Sequence, residues 1–396
     1  MAVTKKKSII IYLFKILIKY CAFSLTLPTL IILKFFFRIR ISIVKPDRIG
    51  HLAGEIDLYL RKKSLTDIDN GYTRIIITGR PCNKALINIF KNYVMLFSNH
   101  YLYLILVQSR RFKLINRYLL PLGLDTRAYQ IYKLSNSPIK ISLTDERKGY
   151  ELLRKYFNLE KTDWWVCFHA RDSSYLDESY KYHDYRNSNI LNMYAAMEHV
   201  TSLGGYAVRF GSNVIDSINT QNSKILNYSN SIHQSDFLDV FLCAKSKFFV
   251  GNTSGPKDLA KLFSVPYILT NLIPYLHFTP MENSLFIPKK IIDIKGKILS
   301  FDECNEIGMF GGEKSELWSF SNSYKSSKLK VIENSSNEIL GAVKDMFDIL
   351  KGENTSSEYK RIQSKFKNYS LKYSPDVHYS GNIAPSFISM NKKLFS

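Results

Sequence analysis

The sequence predicts an α/β fold built on parallel sheets. Short apolar runs, such as residues 164–168, are typical of strands that are buried on both faces. Helical patterns separate these runs along most of the chain, and this alternation favours parallel strands joined by helical crossovers. Two polar blocks, residues 168–172 and 251–258, follow such runs directly. They are therefore expected at the carboxyl edge of a sheet, where open α/β folds bind ligands.

The individual elements follow from the same patterns. The predicted strands end at glycine, proline or polar residues, and they are residues 37–44, 74–78, 164–168, 206–210, 247–250 and 265–269. The predicted helices fall between them, and they are a helix through Glu55 and Leu60, residues 85–90, a helix capped at Ser142 that reaches Phe157, and residues 190–203 and 236–245. Residues 352–396 lack periodicity and predict a polar tail.

The block Gly-Asn-Thr-Ser-Gly-Pro-Lys-Asp at residues 251–258 predicts an anion site. Either hydroxyl of the Thr-Ser pair could cap the following helix, the proline suits its first turn, and the two glycines let a ligand approach the backbone. Amides at a helix N-terminus favour a diphosphate, and a lysine adds a point charge. The alternative is an ordinary tight turn between strand and helix. The candidate donor-binding residues here are Thr253, Ser254, Gly255 and Lys257.

The block at residues 168–172 concentrates His169, Arg171 and Asp172 at the exit of an apolar strand. We predict that Arg171 is catalytic, donating two hydrogen bonds to a diphosphate and offsetting charge on the leaving group; a surface salt bridge to Asp172 is the alternative. His169 is predicted to donate to phosphate or sugar, unless it only satisfies neighbouring backbone. Asp172 is expected to orient Arg171 rather than to act as a base.

These blocks belong to an ordered set of motifs that resembles a known family. The set includes residues 48–52, 169–172, 183–187, 208–211, 235–236 and 253–255. Together they resemble a family of bacterial glycosyltransferases associated with surface-polysaccharide synthesis. Residues 251–262 are similar to the nucleotide-sugar loop of heptosyltransferases, although Lys257 and Asp258 stand where Met-His is usual. His-x-Arg after a strand is similar to the fucosyltransferase-like group, in which the arginine faces the donor diphosphate.

The resemblance implies the GT-B architecture, in which two Rossmann-like domains face a cleft. The expected organisation is a membrane-associating segment at residues 1–35, an acceptor domain at 36–160, a nucleotide-sugar domain at 161–351 and the tail at 352–396. A length of 396 residues with 45% hydrophobic content is sufficient for two cores.

Four further residues are candidate donor contacts, and three of them have a simpler alternative. Arg186 could close over phosphate or sugar hydroxyls, beside Asn187, which could cap a helix. Arg209 could meet the nucleotide or lie on a basic rim. Ser235 and Asp236 could begin a helix near the base or ribose, with N-capping as the rival interpretation.

The base that activates the acceptor is expected on the other domain. His51 is the candidate, predicted in a loop after the first strand, with Glu55 one helical turn further on. Loop packing explains His51 equally well.

The net charge of +21 is unevenly distributed. Residues 1–50 hold ten Lys or Arg against one Asp, and the uncharged stretch from Tyr20 to Leu33 is 14 residues long. A transmembrane helix needs about 20 apolar residues, so we predict a helix lying on an anionic membrane, on the cytoplasmic face of the inner membrane. A buried helix of the N-terminal domain and a signal peptide are the alternatives. Nucleic acid is not expected as a partner, since no recognised binding motif accompanies the charge.

No metal or other cofactor is predicted. The five cysteines form no closely spaced ligand set, and their odd number argues against a complete disulfide framework. Asp67 and Asp69 spell the Asp-x-Asp of metal-dependent transferases, but no buried strand precedes them, and we predict a solvated loop there.

The working hypothesis is a metal-independent transferase that moves a sugar from a nucleotide donor to a hydroxyl of a growing O-antigen or capsule glycan. This acceptor glycan could be lipid-linked. The alternative is a noncatalytic, membrane-associated protein that binds a nucleotide or a glycan.

Overall fold

The structure is a computed structural model, and it describes residues 20–123, 129–172, 178–211, 218–275, 281, 283–311, 313–353, 356–371 and 381–395. The chain divides into two compact units. Unit 1 comprises residues Met1–Leu124 and unit 2 comprises Asp125–Ser396.

Unit 1 is built on a four-stranded parallel sheet. Its strands are β1 (Ile39–Ile43), β2 (Thr73–Thr78), β3 (Met95–Ser98) and β4 (Leu119–Pro121). Its helices are α1 (residues 20–36), α2 (Ile49–Leu65), α3 (Lys84–Phe90) and α4 (His100–Ser109). The spatial order is β3-β2-β1-β4 with every pairing parallel, so the chain turns back between β1 and β4.

Helix α1 covers the part of the predicted membrane segment that the structure describes. One face of α1 packs on the core of unit 1, where Leu30 lies with Ile41, Ile77 and Leu106. Residues 1–19 of that prediction lie outside the described residues. Across the described parts of the chain, no helix combines the length and the apolar character needed to cross a membrane.

Unit 2 is built on a seven-stranded parallel sheet. Its strands are β5 (Trp165–His169), β6 (Tyr206–Arg209), β7 (Ile225–Leu226), β8 (Phe249–Gly251), β9 (Tyr267–Leu272), β10 (Leu285–Pro288) and β13 (Asn382–Ile383), in the order β13-β10-β9-β8-β5-β6-β7. A separate antiparallel pair joins β11 (Lys290–Ile292) to β12 (Lys330–Ile332). The predicted α/β fold with parallel sheets is confirmed.

The helices of unit 2 fill the connections between these strands. They are α5 (Tyr129–Leu134), α6 (Leu143–Phe157), α7 (Tyr194–Ser202), α8 (Asp236–Lys245), α9 (Pro256–Leu262), α10 (Phe301–Glu306), α11 (Ser321–Ser326), α12 (Ser336–Leu350), α13 (Ser357–Leu371) and α14 (Pro385–Met390). Short 3-10 segments cover Glu178–Arg186 and Ile190–Met193, so the helix predicted at residues 190–203 is divided in two. Ser142 caps α6 as predicted, accepting a hydrogen bond from the amide of Asp145.

Both sheets reverse their strand order at one place. In unit 2 the chain proceeds from β5 outward through β6 and β7, then returns to the other side of β5 with β8. In open α/β sheets the loops that leave two such strands diverge in opposite directions, and the crevice between them is the usual ligand site. The corresponding point in unit 1 lies between β1 and β4. Ligand sites are expected at these two positions.

The boundary between the units differs from the predicted one, and the difference has a packing origin. The units divide at residue 124, earlier than the predicted boundary near 160, because α6 belongs to unit 2. Its Gly149 packs on the ring of Phe241 in α8, and its Glu146 accepts a hydrogen bond from Lys245 at 2.7 Å.

The predicted polar tail is wrong as a description of the chain beyond residue 352. Residues 356–371 and 381–395 are folded onto unit 2, and β13 extends its sheet by pairing with β10. Phe366, Ile383 and Phe387 are buried, and the Tyr359 hydroxyl donates to the Ile383 carbonyl at 2.8 Å. The apolar residues are too widely spaced to show a period, so only tertiary contacts reveal them as core.

Candidate functional site

The two predicted blocks meet at the switch point of unit 2. Strands β5 and β8 are neighbours, and His169 is paired in register with Gly251. The buried Asn252 joins the two loops, because its Oδ1 accepts the Arg171 amide hydrogen at 3.3 Å. Its Nδ2 donates to the Arg186 carbonyl at 2.9 Å and to the Ser188 hydroxyl at 3.2 Å. Asn252 therefore holds three chain segments together at the carboxyl edge of the sheet.

Arg171 is buried, with 7% of its surface exposed. Its Nη1 donates to the His183 carbonyl at 2.8 Å and to the Asn187 Oδ1 at 2.9 Å. The guanidinium therefore anchors the segment at residues 178–189 to the end of β5. Asp172 follows it, half-buried, at the limit of the described stretch.

Arg186 is the more accessible arginine of this edge. Its side chain is half-buried, and its Nε donates to the Thr253 hydroxyl at 3.3 Å. The contact joins the predicted motif at residues 183–187 to the glycine-containing block. The structure thus places Arg171 and Arg186 at the same edge of the sheet, where Asn252 bonds to the backbone of both.

Lys289 is a third cation at this edge, and the sequence patterns did not indicate it. It follows β10 directly, is buried, and donates from Nζ to the Asn187 carbonyl at 2.6 Å. Burial lowers the pKa of its ammonium group to about 8, and the charge of Arg171 acts in the same direction. Its place at a strand end was the available signal. Its proximity to Arg171 is a product of the sheet order.

His169 is a core histidine. Its Nδ1 lies 3.1 Å from the Phe210 carbonyl, and burial, assisted by the charge of Arg209, lowers the pKa of the imidazole to about 3. The ring is therefore neutral at physiological pH. Its Nδ1–H donates to the Phe210 carbonyl, and its Nε2 is an acceptor. The prediction that His169 donates to phosphate is corrected to backbone satisfaction, because the remaining nitrogen cannot donate.

Arg209 ends strand β6, where it is 1% exposed. A rim position is therefore excluded, and such burial opposes direct contact with a nucleotide. Its Nη1 lies within 3.4 Å of the Phe210 carbonyl, and its positive charge acts on His169. We assign Arg209 a structural role at the buried end of β6.

The predicted capping of α9 is wrong. Gly255 is the N-cap residue, and a glycine has no side chain with which to cap a helix. Pro256 occupies the first turn as predicted. The Thr253 hydroxyl donates to the Ile273 carbonyl at 3.0 Å, and the Ser254 hydroxyl donates to the Asn252 carbonyl at 3.3 Å. Both hydroxyls therefore stabilise the loop. A helix of seven residues also offers only a short dipole, so it adds little to anion binding.

The glycines and the lysine of this block are likewise engaged in the fold. A Cβ at Gly251 would lie 3.2 Å from the His169 carbonyl and 2.6 Å from the Phe249 ring, so this glycine permits β5 and β8 to approach each other. Lys257 forms an ion pair with Asp258 at 3.0 Å, and burial lowers the pKa of its ammonium group. Asp258 also pairs with Lys261 at 3.0 Å.

Ser235 and Asp236 begin helix α8, as predicted. Ser235 caps it by accepting the Leu238 amide hydrogen at 3.3 Å. The interpretation as an N-cap is therefore confirmed for Ser235. One turn later, Asp239 accepts a hydrogen bond from the Tyr228 hydroxyl at 2.8 Å, and burial raises the pKa of this carboxyl to about 6.

His51 of unit 1 lies in the first turn of α2 rather than in the predicted loop, since α2 begins at Ile49. Its Nδ1 is 2.8 Å from Oε1 of Glu55, one helical turn away as predicted. Glu55 is buried, whereas His51 remains partly exposed. A carboxylate that accepts the Nδ1 proton leaves Nε2 as an acceptor for a substrate proton. A buried carboxylate thus orients the His51 ring in the helix that follows β1.

The negative charges of Asp47 and Glu55 act on Tyr103. Burial raises the pKa of its phenol, and these charges raise it further. Tyr103 lies in helix α4, and a Cβ at Gly79 would lie close to both its ring and Pro46 of the loop before α2.

The predicted solvated loop at Asp67 and Asp69 is wrong for Asp69. This residue is buried, and it accepts hydrogen bonds from the Tyr59 hydroxyl at 2.6 Å and from the Arg74 Nε at 2.5 Å. It serves as a structural anchor between α2 and β2. Within the described ranges, no group of three or more His, Cys, Asp or Glu side chains is arranged to hold a metal ion.

An open polar pocket of about 510 Å³ lies elsewhere on unit 2. It is lined by Tyr194, Glu198, Asn219, Thr220, Gln221 and Asn222. None of the predicted site residues contributes to it.

No protein-family model matches this chain, and no curated protein matches its sequence. The chain is similar in structure to a family 9 glycosyl transferase from Veillonella parvula, with 11% identity, a TM-score of 0.38, and coverage of 63% of this chain and 86% of that one. It is also similar to the ADP-heptose lipopolysaccharide heptosyltransferase II of E. coli, with 14% identity, a TM-score of 0.42, and coverage of 65% and 92%. A third similar structure is the iron-containing dodecameric glycosyltransferase TibC of enterotoxigenic E. coli, with 13% identity, a TM-score of 0.36, and coverage of 90% and 77%.

Proposed function

We propose that the protein is a glycosyltransferase that takes its sugar from a nucleotide-sugar donor. The observation that carries the proposal is the convergence of Arg171, Arg186 and Lys289 at the switch point of a parallel sheet. Two arginines from one stretch of chain and a lysine from more than one hundred residues away lie where open α/β sheets bind ligands. This charge suits a diphosphate, which is the leaving group of a nucleotide sugar.

The three cations have different roles in the proposal. Arg186 is half-buried and contacts the diphosphate, because its guanidinium can donate two parallel hydrogen bonds to phosphate oxygens. Arg171 is a positioning residue, since its Nη1 holds the segment that carries Arg186. Lys289 adds a positive charge behind them.

The reaction follows from these assignments. The acceptor hydroxyl oxygen forms a bond to the anomeric carbon, and the bond from that carbon to the diphosphate oxygen breaks. The electron pair leaves with the nucleoside diphosphate, whose charge Arg186 and Lys289 stabilise. The hydroxyl proton passes to a general base, and His51 is the candidate because Glu55 binds its Nδ1 and leaves Nε2 as an acceptor.

The first test is a thermal-shift panel of UDP, GDP, CMP, ADP and dTDP on the full chain. One nucleotide is expected to raise the Tm, and Arg186→Ala is expected to weaken its binding about tenfold to hundredfold. Arg186→Lys should recover part of the affinity, since it retains a point charge without the bidentate geometry. Arg154→Ala is the matched control, because Arg154 is highly exposed and lies outside the crevice.

Turnover separates the transferase from the noncatalytic alternative. The nucleotide sugar of the selected base is incubated with glycan acceptors, and release of the nucleoside diphosphate is measured. Nucleotide binding without acceptor-dependent release would favour a binding protein. If no nucleotide of the panel shifts the Tm of protein that melts cooperatively, both the donor site and the transferase are contradicted.

Three finer features belong to the same proposal. We propose that the acceptor is a growing O-antigen or capsule glycan, that the reaction needs no divalent metal, and that the N-terminal residues hold the protein on the cytoplasmic face of the inner membrane. The basic, apolar composition of residues 1–35 supports the location. Transfer that is lost in EDTA and restored by Mg²⁺ or Mn²⁺ would disprove metal independence.

A further inference from the structure

Two neighbouring helices of unit 1 turn apolar side chains outward. Helices α1 and α4 share a core, in which Leu30 and Leu106 are both buried, and the Ser109 hydroxyl donates to the Thr26 hydroxyl at 2.9 Å. The two helices therefore lie side by side. The large apolar residues that remain exposed on them, or directly after α1, are Tyr20, Leu25, Ile32, Phe35, Phe36, Phe37, Tyr101, Leu102, Leu104 and Ile105.

Helix α4 is unusual for a surface helix because it contains no charged residue. Tyr101 is 74% exposed, and Leu102, Leu104 and Ile105 are exposed beside it. Soluble surfaces rarely gather so many large apolar side chains, and such patches mark sites of interaction. We call the outward side of α1 and α4 the apolar face.

Basic residues continue directly from the apolar face. The turn after α4, residues 110–117, contains four Lys or Arg and no acidic residue, and Arg111, Lys113 and Arg117 are exposed. Helix α1 carries Lys34 and no acid, and residues 1–19 contain five lysines and no acid. Positive charge therefore adjoins this aromatic-rich surface at residues 110–117, and further lysines precede α1 in the sequence.

We propose that the apolar face, together with the basic turn at residues 110–117, docks on an anionic lipid bilayer. Apolar and aromatic side chains enter the interfacial region while lysine and arginine meet the lipid phosphates. Charge complementarity selects the bilayer over a second copy of this chain, since two copies would bring like charges together. The inference deepens the membrane location proposed above, adds α4 as a second contact, and is independent of transferase activity.

One consequence concerns the acceptor. A Cβ at Gly79 would lie 3.0 Å from the Tyr103 ring and 3.1 Å from Pro46, so α4 lies beside the loop that leads from β1 into α2. Helix α2 carries the His51–Glu55 pair. A bilayer against α4 would place the proposed base beside the lipid surface. This arrangement suits an acceptor glycan carried on a lipid.

The test is cosedimentation of the full chain with vesicles of phosphatidylglycerol and phosphatidylcholine at 3:7, with pure phosphatidylcholine vesicles for comparison. We expect binding to the anionic vesicles, and Tyr101→Glu with Leu104→Glu should weaken it about tenfold or more. Arg111→Glu with Lys113→Glu should have a similar effect on anionic vesicles, because each basic residue contributes to lipid attraction.

The matched control is Leu143→Glu, which places the same charge at an 82% exposed leucine of unit 2 and should leave binding unchanged. Circular dichroism and the nucleotide-induced shift in Tm confirm that each variant is folded. Binding by the α4 double variant at the wild-type level would overturn the role of α4. A dimer in sedimentation velocity that dissociates in this variant, without vesicle binding by the wild type, would assign the face to a second copy and overturn the proposal.

Discussion

The side chain of Asn252 accepts the amide hydrogen of Arg171 at 3.3 Å, and this bond joins the loop after β8 to the loop after β5. The same side chain donates to the carbonyl of Arg186. Two motifs that lie about eighty residues apart in sequence thus share one buried amide. The position of both arginines depends on it.

Asn252→Ala should therefore disturb both stability and nucleotide binding. The truncation leaves the Arg171 amide, the Arg186 carbonyl and the Ser188 hydroxyl without this partner in a buried place. We expect a loss of about 2–4 kcal/mol in the free energy of unfolding, measured by urea denaturation. The exposed Asn230→Ala should change it by less than about 0.5 kcal/mol. Equal effects of the two variants would contradict the linking role of Asn252.

His51→Gln should lower the rate of transfer about 10²- to 10⁴-fold, because glutamine cannot take the acceptor proton. Glu55→Gln should give a smaller loss, since the imidazole remains but its orientation and charge stabilisation are weakened. The nucleotide-induced shift in Tm should persist in both variants, as the proposed donor site lies in unit 2. His199→Gln serves as the control. An unchanged kcat in His51→Gln would remove this residue from the chemistry.

Nucleotide affinity should fall as the pH rises above about 8. Lys289 has a lowered pKa of about 8, so its ammonium group loses its proton in this range and the attraction to a diphosphate weakens. Lys289→Met should bind more weakly at pH 7 and show a flatter profile between pH 7 and 9, measured by calorimetry. Lys247→Met, at the opposite edge of the sheet, should keep the wild-type profile. A profile that is identical in Lys289→Met and wild type would show that the charge of Lys289 does not act on the bound nucleotide.

Asp239→Asn should stabilise unit 2 at neutral pH. The folded-state pKa of Asp239 is raised to about 6 from its ordinary value of 3.8, so the native state binds more protons than the unfolded state between these values. Stability therefore declines as the pH rises through this window, and the variant escapes that decline. We expect a gain of up to about 3 kcal/mol at pH 7 and a much smaller difference at pH 4.5. Urea denaturation at the two pH values measures it; an equal gain at both would assign the effect to another cause.

Local sequence determined the strands, their order along the chain and the polar residues at their ends. An apolar run of five residues followed by His-Ala-Arg-Asp is sufficient to place Arg171 at a strand exit. The run itself indicates a strand that is buried on both faces, and the polar residues after it mark its end. The same holds for residues 247–256 and for the capped helix α6. The α/β class and the meeting of the two blocks at one edge followed from these signals.

Tertiary structure alone decided which of these side chains face the crevice. His169 and Arg209 stand at strand ends, yet both side chains contact the Phe210 carbonyl within the fold. Lys289 joins the cluster from more than one hundred residues away. The sheet order decides such proximity, and hydrogen bonds with distant carbonyls decide burial. Residues 381–395 fold for the same reason, since an edge strand without its own period is stabilised only by its neighbour. Pattern within the chain specifies the elements, whereas the free energy of long-range packing specifies their partners.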